Sequence, residues 1–211
     1  MNADLASFML RTRVLGGEVT PVLRAIEGID RRSFVRPEHA DFVYRNETLP
    51  LPCGQATDRI DDLVRLLASA DLAPHHRVLE IGTGGGFMTA ILSRLVGSVV
   101  TLERYRTLID ASKAAHARAG VRNVTYLQAD GGNPDAIEGT FDRIVSSVAF
   151  PEAPKGFIGR LSPDGVMVAP IGERCGEQYV VRLEKVGLRF ERRVVGKGWF
   201  PPIERGAATA L

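Results

Sequence analysis

Arg77-Val78-Leu79-Glu80-Ile81-Gly82-Thr83-Gly84-Gly85-Gly86-Phe87 is the stretch whose reading decides the fold. Its first five residues form a short, mainly apolar run that reads as a strand. Glycines follow, and residues 87–95 then carry helical spacing. Glycine takes positive φ without steric cost and lets backbone approach a ligand closely. A helix that starts at such a bend offers free N–H groups at its N-terminus. In an open parallel sheet, ligands sit beyond the carboxyl ends of the strands. The bend at Gly82–Gly86 is therefore the first place to expect one.

Downstream, the same alternation repeats. Residues 98–102 read as a strand, 106–119 as a helix, and 124–127, 143–146 and 166–169 as further strands. Strands alternating with helices imply βαβ units with helices on both faces. The expected class is α/β: a doubly wound, Rossmann-like, mostly parallel sheet. After Gly176, residues 178–184 and 189–195 alternate as a sheet edge or hairpin would. Residues 206–211 are expected to be loose. Upstream, Leu5, Phe8 and Met9, then Val22, Leu23, Ile26 and Ile29, recur at helical spacing. Pro50 and Pro52 each lack an N–H, so residues 48–55 read as an extended loop. Residues 58–70 turn helical again, with an apolar stripe of Ile60, Leu63, Val64, Leu66 and Leu67. The expected division is 1–75, a helical extension with a substrate loop, and 76–211, a cofactor-binding domain with C-terminal strands.

Composition narrows the class. The 211 residues carry a net charge of only +2, with no dense basic run that would point to nucleic acid. No apolar stretch is long enough to span a bilayer. Residues 1–5 lack the start of a signal peptide. The two cysteines, Cys53 and Cys175, lie far apart, and no metal-ligand spacing joins them to the four histidines. A reducing cytoplasm with free thiols, and no metal, is the expectation. Both cysteines read as small packing residues, His75 and His76 as a solvated turn, and Trp199 as an anchor for the tail, or else a wall of the cleft. The oligomeric state stays open.

The ligand follows from the spacing. A dinucleotide fingerprint needs G-x-G-x-x-G. Counted from Gly82 its last position falls on Phe87, and from Gly84 on Thr89. The observed E-x-G-x-G-x-G resembles the first motif of class I methyltransferases. That resemblance implies S-adenosyl-L-methionine as cofactor, with Gly82, Thr83, Gly84 and Gly86 around its methionine part and Glu80 near its ammonium group. Glu103, about twenty residues on, suits the ribose hydroxyls, with Arg104 beside it. Asp130 and Gly131 at the third strand end would meet the adenine, and Ser147 completes the set. Singly, each acid reads as well as a helix cap or a solvated strand end. In order, and at this spacing, they form a constellation. A nicotinamide oxidoreductase is a distant alternative.

The resemblance then becomes narrower. Arg31-Arg32-Ser33-Phe34-Val35 with Pro37-Glu38 resembles the R-x-x-F-V-P-E of protein-L-isoaspartate O-methyltransferases, Arg36 being an insertion. Leu49-Pro50-Leu51-Pro52 with Gly54-Gln55, Val78 to Phe87, Phe141 to Pro154, Leu161 to Gly172 and Trp199-Phe200-Pro201-Pro202 each resemble a further motif of that family. The resemblance implies methylation of L-isoaspartyl carboxylates in damaged proteins or peptides, followed by cyclisation of the ester to a succinimide. It also implies a substrate set of Pro52, Cys53, Gln55, Ala56, Val148, Pro170 and Ile171. A carboxylate of pKa ~4 is already ionised at neutral pH, so no general base is needed. Positioning alone is worth roughly 7–11 kcal/mol.

One position departs from the family. Where its loop continues G-Q-T-I-S, this chain has Gly54-Gln55-Ala56-Thr57-Asp58. An acid thus replaces the hydroxyl that the family places beside the methyl group. Two carboxylates about 4 Å apart repel by ~4 kcal/mol at an effective dielectric near 20. The lost hydroxyl bond is worth ~1–3 kcal/mol. Asp58 and Thr57 are accordingly the catalytic candidates, with several outcomes open. Asp58 caps the following helix; or Thr57 supplies the hydroxyl; or Asp58 is a general base for a hydroxyl or amine acceptor. A catalytically silent binder of the cofactor is a further alternative.

Overall fold

The computed structural model describes residues 3–12, 19–187 and 189–208. A single sheet runs in the order β3-β2-β1-β4-β5-β6-β7. Its strands are β1 (Arg77–Ile81), β2 (Ser98–Glu103), β3 (Val124–Gln128), β4 (Phe141–Ser146), β5 (Leu161–Gly172), β6 (Gln178–Val186) and β7 (Arg189–Gly198). The first five are parallel, and β6 and β7 close the sheet antiparallel. This is the doubly wound, mostly parallel architecture that the alternation implies. The last three strands run beyond the residues that sequence assigns to them, because β5, β6 and β7 pair as a meander that extends each partner.

The helices are α1 (Ala3–Thr12), α2 (Val19–Glu27), α3 (Ile60–Ala68), α4 (Phe87–Leu95), α5 (Arg106–Ala119) and the one-turn α6 (Lys155–Ile158). A parallel strand covered on both faces needs no polar alternation. Val78, Leu79 and Ile81 are accordingly all fully buried. Alternate residues serve opposite cores. Val78, Val145 and Val168 pack with Phe8, Ile26, Ile60 and Ile91 of the helices, so residues 1–75 share a core with the sheet. Leu79, Ile81, Ile144 and Met167 pack with Phe157 of α6 on the other face. The outer strand β7 is different: Phe190 and Val194 are exposed among the exposed Arg189, Arg192 and Arg193.

Strand order reverses at β1, which lies between β2 and β4. The loops leaving β1 and β4 diverge there and open a crevice at the strand ends. Two segments close over it. The first is a tight hairpin rather than an open extended loop. Thr57 N–H donates to Leu49 O (2.8 Å) and Leu51 N–H to Gln55 O (2.7 Å). Its turn is carried by Cys53 (φ 61) and Gly54 (φ 68), both left-handed. The second is the C-terminal stretch 201–208, which is tied down where sequence suggests looseness. Ile203 N–H donates to Ala149 O (2.8 Å) and Ala208 N–H to Arg104 O (3.0 Å). Residues 209–211 lie outside the described residues. No helix among the described residues is long and apolar enough to cross a membrane.

Candidate active site

The bend after β1 has little freedom. Gly82 (φ 95) and Gly86 (φ 87) lie in the left-handed region. A Cβ at Gly82 would sit 2.6 Å from Ser147 Oγ, and one at Gly86 would sit 2.7 Å from Ser112 Cβ. The loop is also held by hydrogen bonds. Gly82 N–H donates to Leu102 O (2.9 Å), and Ser147 Oγ donates to Gly82 O (2.9 Å). His116 of α5 touches Gly86 O through Nε2 (2.7 Å) and the Tyr126 hydroxyl through Nδ1. Burial lowers the pKa of His116, so its neutral ring donates from Nε2 and accepts at Nδ1.

Glu103, at the end of β2, is buried. Oε2 accepts from Gly84 N–H (2.9 Å) and Oε1 from Tyr105 N–H (3.0 Å). Burial raises its pKa, and these amides pull it back. Each carboxylate oxygen keeps a second acceptor site, so the group offers two adjacent acceptors to a diol. The crevice is open to solvent, its empty space including the mouth being about 940 Å³. Of the residues expected at the cofactor, Gly82, Thr83, Gly84, Gly86, Glu103, Arg104, Gly131 and Ser147 line it. The glycine bend and the paired acceptors suit a nucleoside with a ribose diol.

Two expected cofactor residues stand elsewhere. Glu80 is fully buried and is not a wall of the crevice. Successive strand residues point to opposite faces; Ile81 reaches the crevice, so Glu80 turns the other way. There its Oε2 accepts from Thr89 Oγ1 of α4 (2.6 Å), while Oε1 has no partner. Burial pushes its pKa up to about 8, against the hydrogen bond from Thr89. Glu80 thus ties β1 to α4 beneath the bend. Asp130 is also absent from the lining; its oxygens accept from Gly132 N–H and Gly206 N–H, each at 2.7 Å. Its carboxylate holds the tail.

Gln55, Ala56, Thr57, Asp58 and Val148 also line the crevice. Pro52 and Cys53 form the hairpin turn outside the crevice. Pro170 and Ile171 lie in the β5 ladder, where Pro170 O accepts from Phe150 N–H (3.0 Å). These four expected substrate residues therefore do not line it.

Asp58 does not cap α3. The helix begins at Ile60 with Arg59 at its cap position and no side-chain cap, and the Asp58 carboxylate lines the crevice. Its pKa is pushed up to about 7 by burial; Arg31 opposes the shift and Asp62 adds to it. Thr57 Oγ1 accepts from Leu49 N–H (2.9 Å), which leaves its proton as the group still to be placed.

Sequence reading quoted Arg31 as part of a motif but gave it no role. It is only 2% exposed and also lines the crevice. Its guanidinium lies 5.1 Å from the Phe87 ring centroid. Nη1 donates to Val43 O and Nη2 to Asp58 O (2.9 Å), while Nε has no partner. Burial lowers its pKa to about 10. Pro201, Pro202, Ile203 and Glu204 complete the wall, and Glu204 pairs with Arg104. Only the tertiary return of the tail brings them there; no local pattern signals it. His116 was legible only as one more helical residue. Three bland readings need correction. Cys175 is exposed; His76 is buried, its Nδ1 accepting from Ala73 N–H (3.0 Å); and Trp199 is 44% exposed outside the crevice.

Comparison with known proteins identifies the family. Residues 9–206 match the family model described as Protein-L-isoaspartate(D-aspartate) O-methyltransferase. A protein-L-isoaspartate O-methyltransferase of Bradyrhizobium sp. (strain ORS 278) is 36% identical over 97% of this chain and 95% of its own. One of Rhizobium meliloti (strain 1021) is 37% identical over 96% and 99%. Among solved structures, a putative protein-L-isoaspartate O-methyltransferase of Plasmodium falciparum, in complex with S-adenosyl-L-homocysteine, shares the fold. Its TM-score is 0.82 at 17% identity, covering 98% of this chain and 100% of that one. With a family model spanning nearly the whole chain and relatives matched from end to end, the chain belongs to the protein-L-isoaspartate (D-aspartate) O-methyltransferase family.

Proposed function

We propose that this chain methylates the side-chain carboxylate of L-isoaspartyl residues in proteins and peptides, with S-adenosyl-L-methionine as donor. The observation that carries the reading is one continuous crevice in a member of this family. The glycine bend and Glu103, and Gln55 to Asp58 with Arg31, line it together. When bound, the cofactor supplies an electrophilic methyl group on a sulfonium sulfur.

The chain's own residues orient and exclude water. Gly82, Thr83, Gly84 and Gly86 shape the donor side; Glu103 accepts from the ribose hydroxyls; Arg104, Gly131, Ser147 and Ile203 bound the nucleoside. Gln55, Ala56, Thr57, Asp58 and Val148 receive the acceptor. Arg31 supplies positive charge to a carboxylate that enters beside it. We assign acceptor recognition to residues 1–75 and donor binding to 76–211. Free Cys53 and Cys175 suit a reducing cytoplasm. An acceptor with a hydroxyl or amine is not favoured, since the relatives that match end to end are named for isoaspartate.

The test is transfer of labelled methyl to an L-isoaspartyl peptide and to its aspartyl twin. Labelling of the first alone is expected. Equal labelling of both, or of neither while the cofactor binds, would overturn the reading.

A further inference from the structure

Asp58 stands where the acceptor must come, and its carboxylate is left alone. Among the described residues no hydrogen bond or ion pair reaches its side-chain oxygens. α3 does not take it as a cap. Arg31 is close enough to favour its charge, but the placed donors of that guanidinium go to the backbone carbonyls of Val43 and Asp58 itself. The other titratable groups that bear on Asp58 are acids: Asp62 of α3 and Glu80 of β1. Along the chain it is flanked by Arg59, which is exposed, and Asp61 lies three residues on, paired with Arg11. A second carboxylate brought into this place makes a pair of acids side by side in a crevice where Asp58 is only partly exposed. Such a pair retains one proton between its members, because both cannot be ionised side by side.

Only one assignment of that proton permits reaction. The acceptor oxygen must be anionic to act as a nucleophile, so the proton must sit on Asp58. Resting on the isoaspartyl reading above, we propose that Asp58 works as a neutral carboxylic acid whose O–H donates to one oxygen of the acceptor carboxylate while the other oxygen is the nucleophile. Arg31 then carries the compensating positive charge through its unpartnered Nε. The reaction moves a methyl group and no proton, so Asp58 leaves the step as it entered it. Asp58 thereby does the work of a hydroxyl donor, but only in one protonation state. Burial, which already raises its pKa to about 7, prepares it for that state.

Sign follows directly. The acid form is present below the raised pKa and is lost as pH rises through it. Methyl transfer should therefore fall above neutral pH, by about tenfold per unit once Asp58 is mostly ionised. Peptide binding should take up a proton in the same range.

The experiment is calorimetric titration of an L-isoaspartyl hexapeptide into protein saturated with S-adenosyl-L-homocysteine. It is run at pH 8 in two buffers of different ionisation enthalpy, alongside kcat/KM from pH 5.5 to 9. Expected is uptake of about one proton per peptide bound, absent in Asp58→Asn and Asp58→Ser, whose kcat/KM stays level across the alkaline range. Two conservative variants guard against one that misfolds. No uptake by the wild type, or uptake that persists in both variants, or a wild-type profile level to pH 9, overturns the proposal. Failure to methylate the peptide at any pH, with the cofactor bound, sinks instead the isoaspartyl reading on which it stands.

Discussion

The two ends of the crevice are built on opposite principles. At the donor end the bend is held mostly from within the protein, although Glu80 Oε1 beneath it and Arg104 Nε beside it have no partner among the described residues. Glu103 holds the amides of Gly84 and Tyr105, His116 holds Gly86 O, and Ser147 holds Gly82 O. At the acceptor end the Asp58 carboxylate and the Arg31 Nε are left without partners. A site whose groups are already satisfied is rigid and preformed. A site with unsatisfied buried charge gains most when a ligand of the right charge arrives, because unpaired buried polar groups are costly. On the proposed assignment, the donor end sets geometry and the acceptor end sets selectivity.

Four measurements break or sharpen that contrast. The largest effect is expected for Gly86→Val. Its side chain would overlap Ser112 and His116 in a conformation that costs a non-glycine residue ~1–2 kcal/mol by itself. S-adenosyl-L-homocysteine binding by calorimetry should weaken at least ~100-fold, with circular dichroism retained. Undiminished affinity would mean that the donor end is not rigid.

Next is the pH dependence of stability set by Glu80, whose pKa is pushed from 4.5 to about 8 by burial. A buried acid of raised pKa stabilises the fold while it is protonated. That contribution is full at low pH and is lost as pH rises through the window from 4.5 to about 8. Urea unfolding of the unliganded protein should show a loss on the order of 3 kcal/mol between pH 5 and pH 8. Glu80→Gln should remove that share of the slope and keep the share set by Asp58, whose pKa is also raised by burial, to about 7; an undiminished slope would place the titrating group elsewhere.

Arg31→Met comes third. Removal of a buried cation that faces an anionic acceptor typically costs about 2–3 kcal/mol, so kcat/KM for an isoaspartyl peptide should fall ~100-fold. Affinity for S-adenosyl-L-homocysteine should stay within ~3-fold. Equal losses in both would erase the distinction between the ends.

The smallest effect concerns the hairpin turn. Cys53 holds φ 61 at a cost glycine does not bear. Cys53→Gly should raise the denaturation midpoint by up to ~1 kcal/mol equivalent, and Cys53→Val should lower it by ~1–2 kcal/mol. The reverse order would show that the turn is not left-handed in solution.

Most of the donor end was legible in the sequence because its signals are local. A strand that runs into glycines, and an acid at the end of the next strand, keep their meaning without any knowledge of the rest of the chain. Glu80 faces α4 rather than the crevice because strand alternation turns it to the side opposite Ile81. The Asp130 carboxylate is taken up by the tail, which is distant in sequence. The acceptor end was legible only through motif resemblance, and Arg31 gained a role only once tertiary packing set it on Phe87 beside Asp58. Pro170 and Ile171 fall beyond the strand that the sequence marks at 166–169 because β5 extends through pairing with β6.

The outermost strand has a bearing on colloidal behaviour. Its free rim carries Phe190 and Val194, two side chains that would welcome a neighbouring ribbon. Between and beside them stand Arg189, Arg192 and Arg193. A second copy docking rim to rim would bring like charges close together, and such opposition is destabilising. The arginines oppose open-ended stacking, which leaves a long outer strand tolerable at high protein concentration.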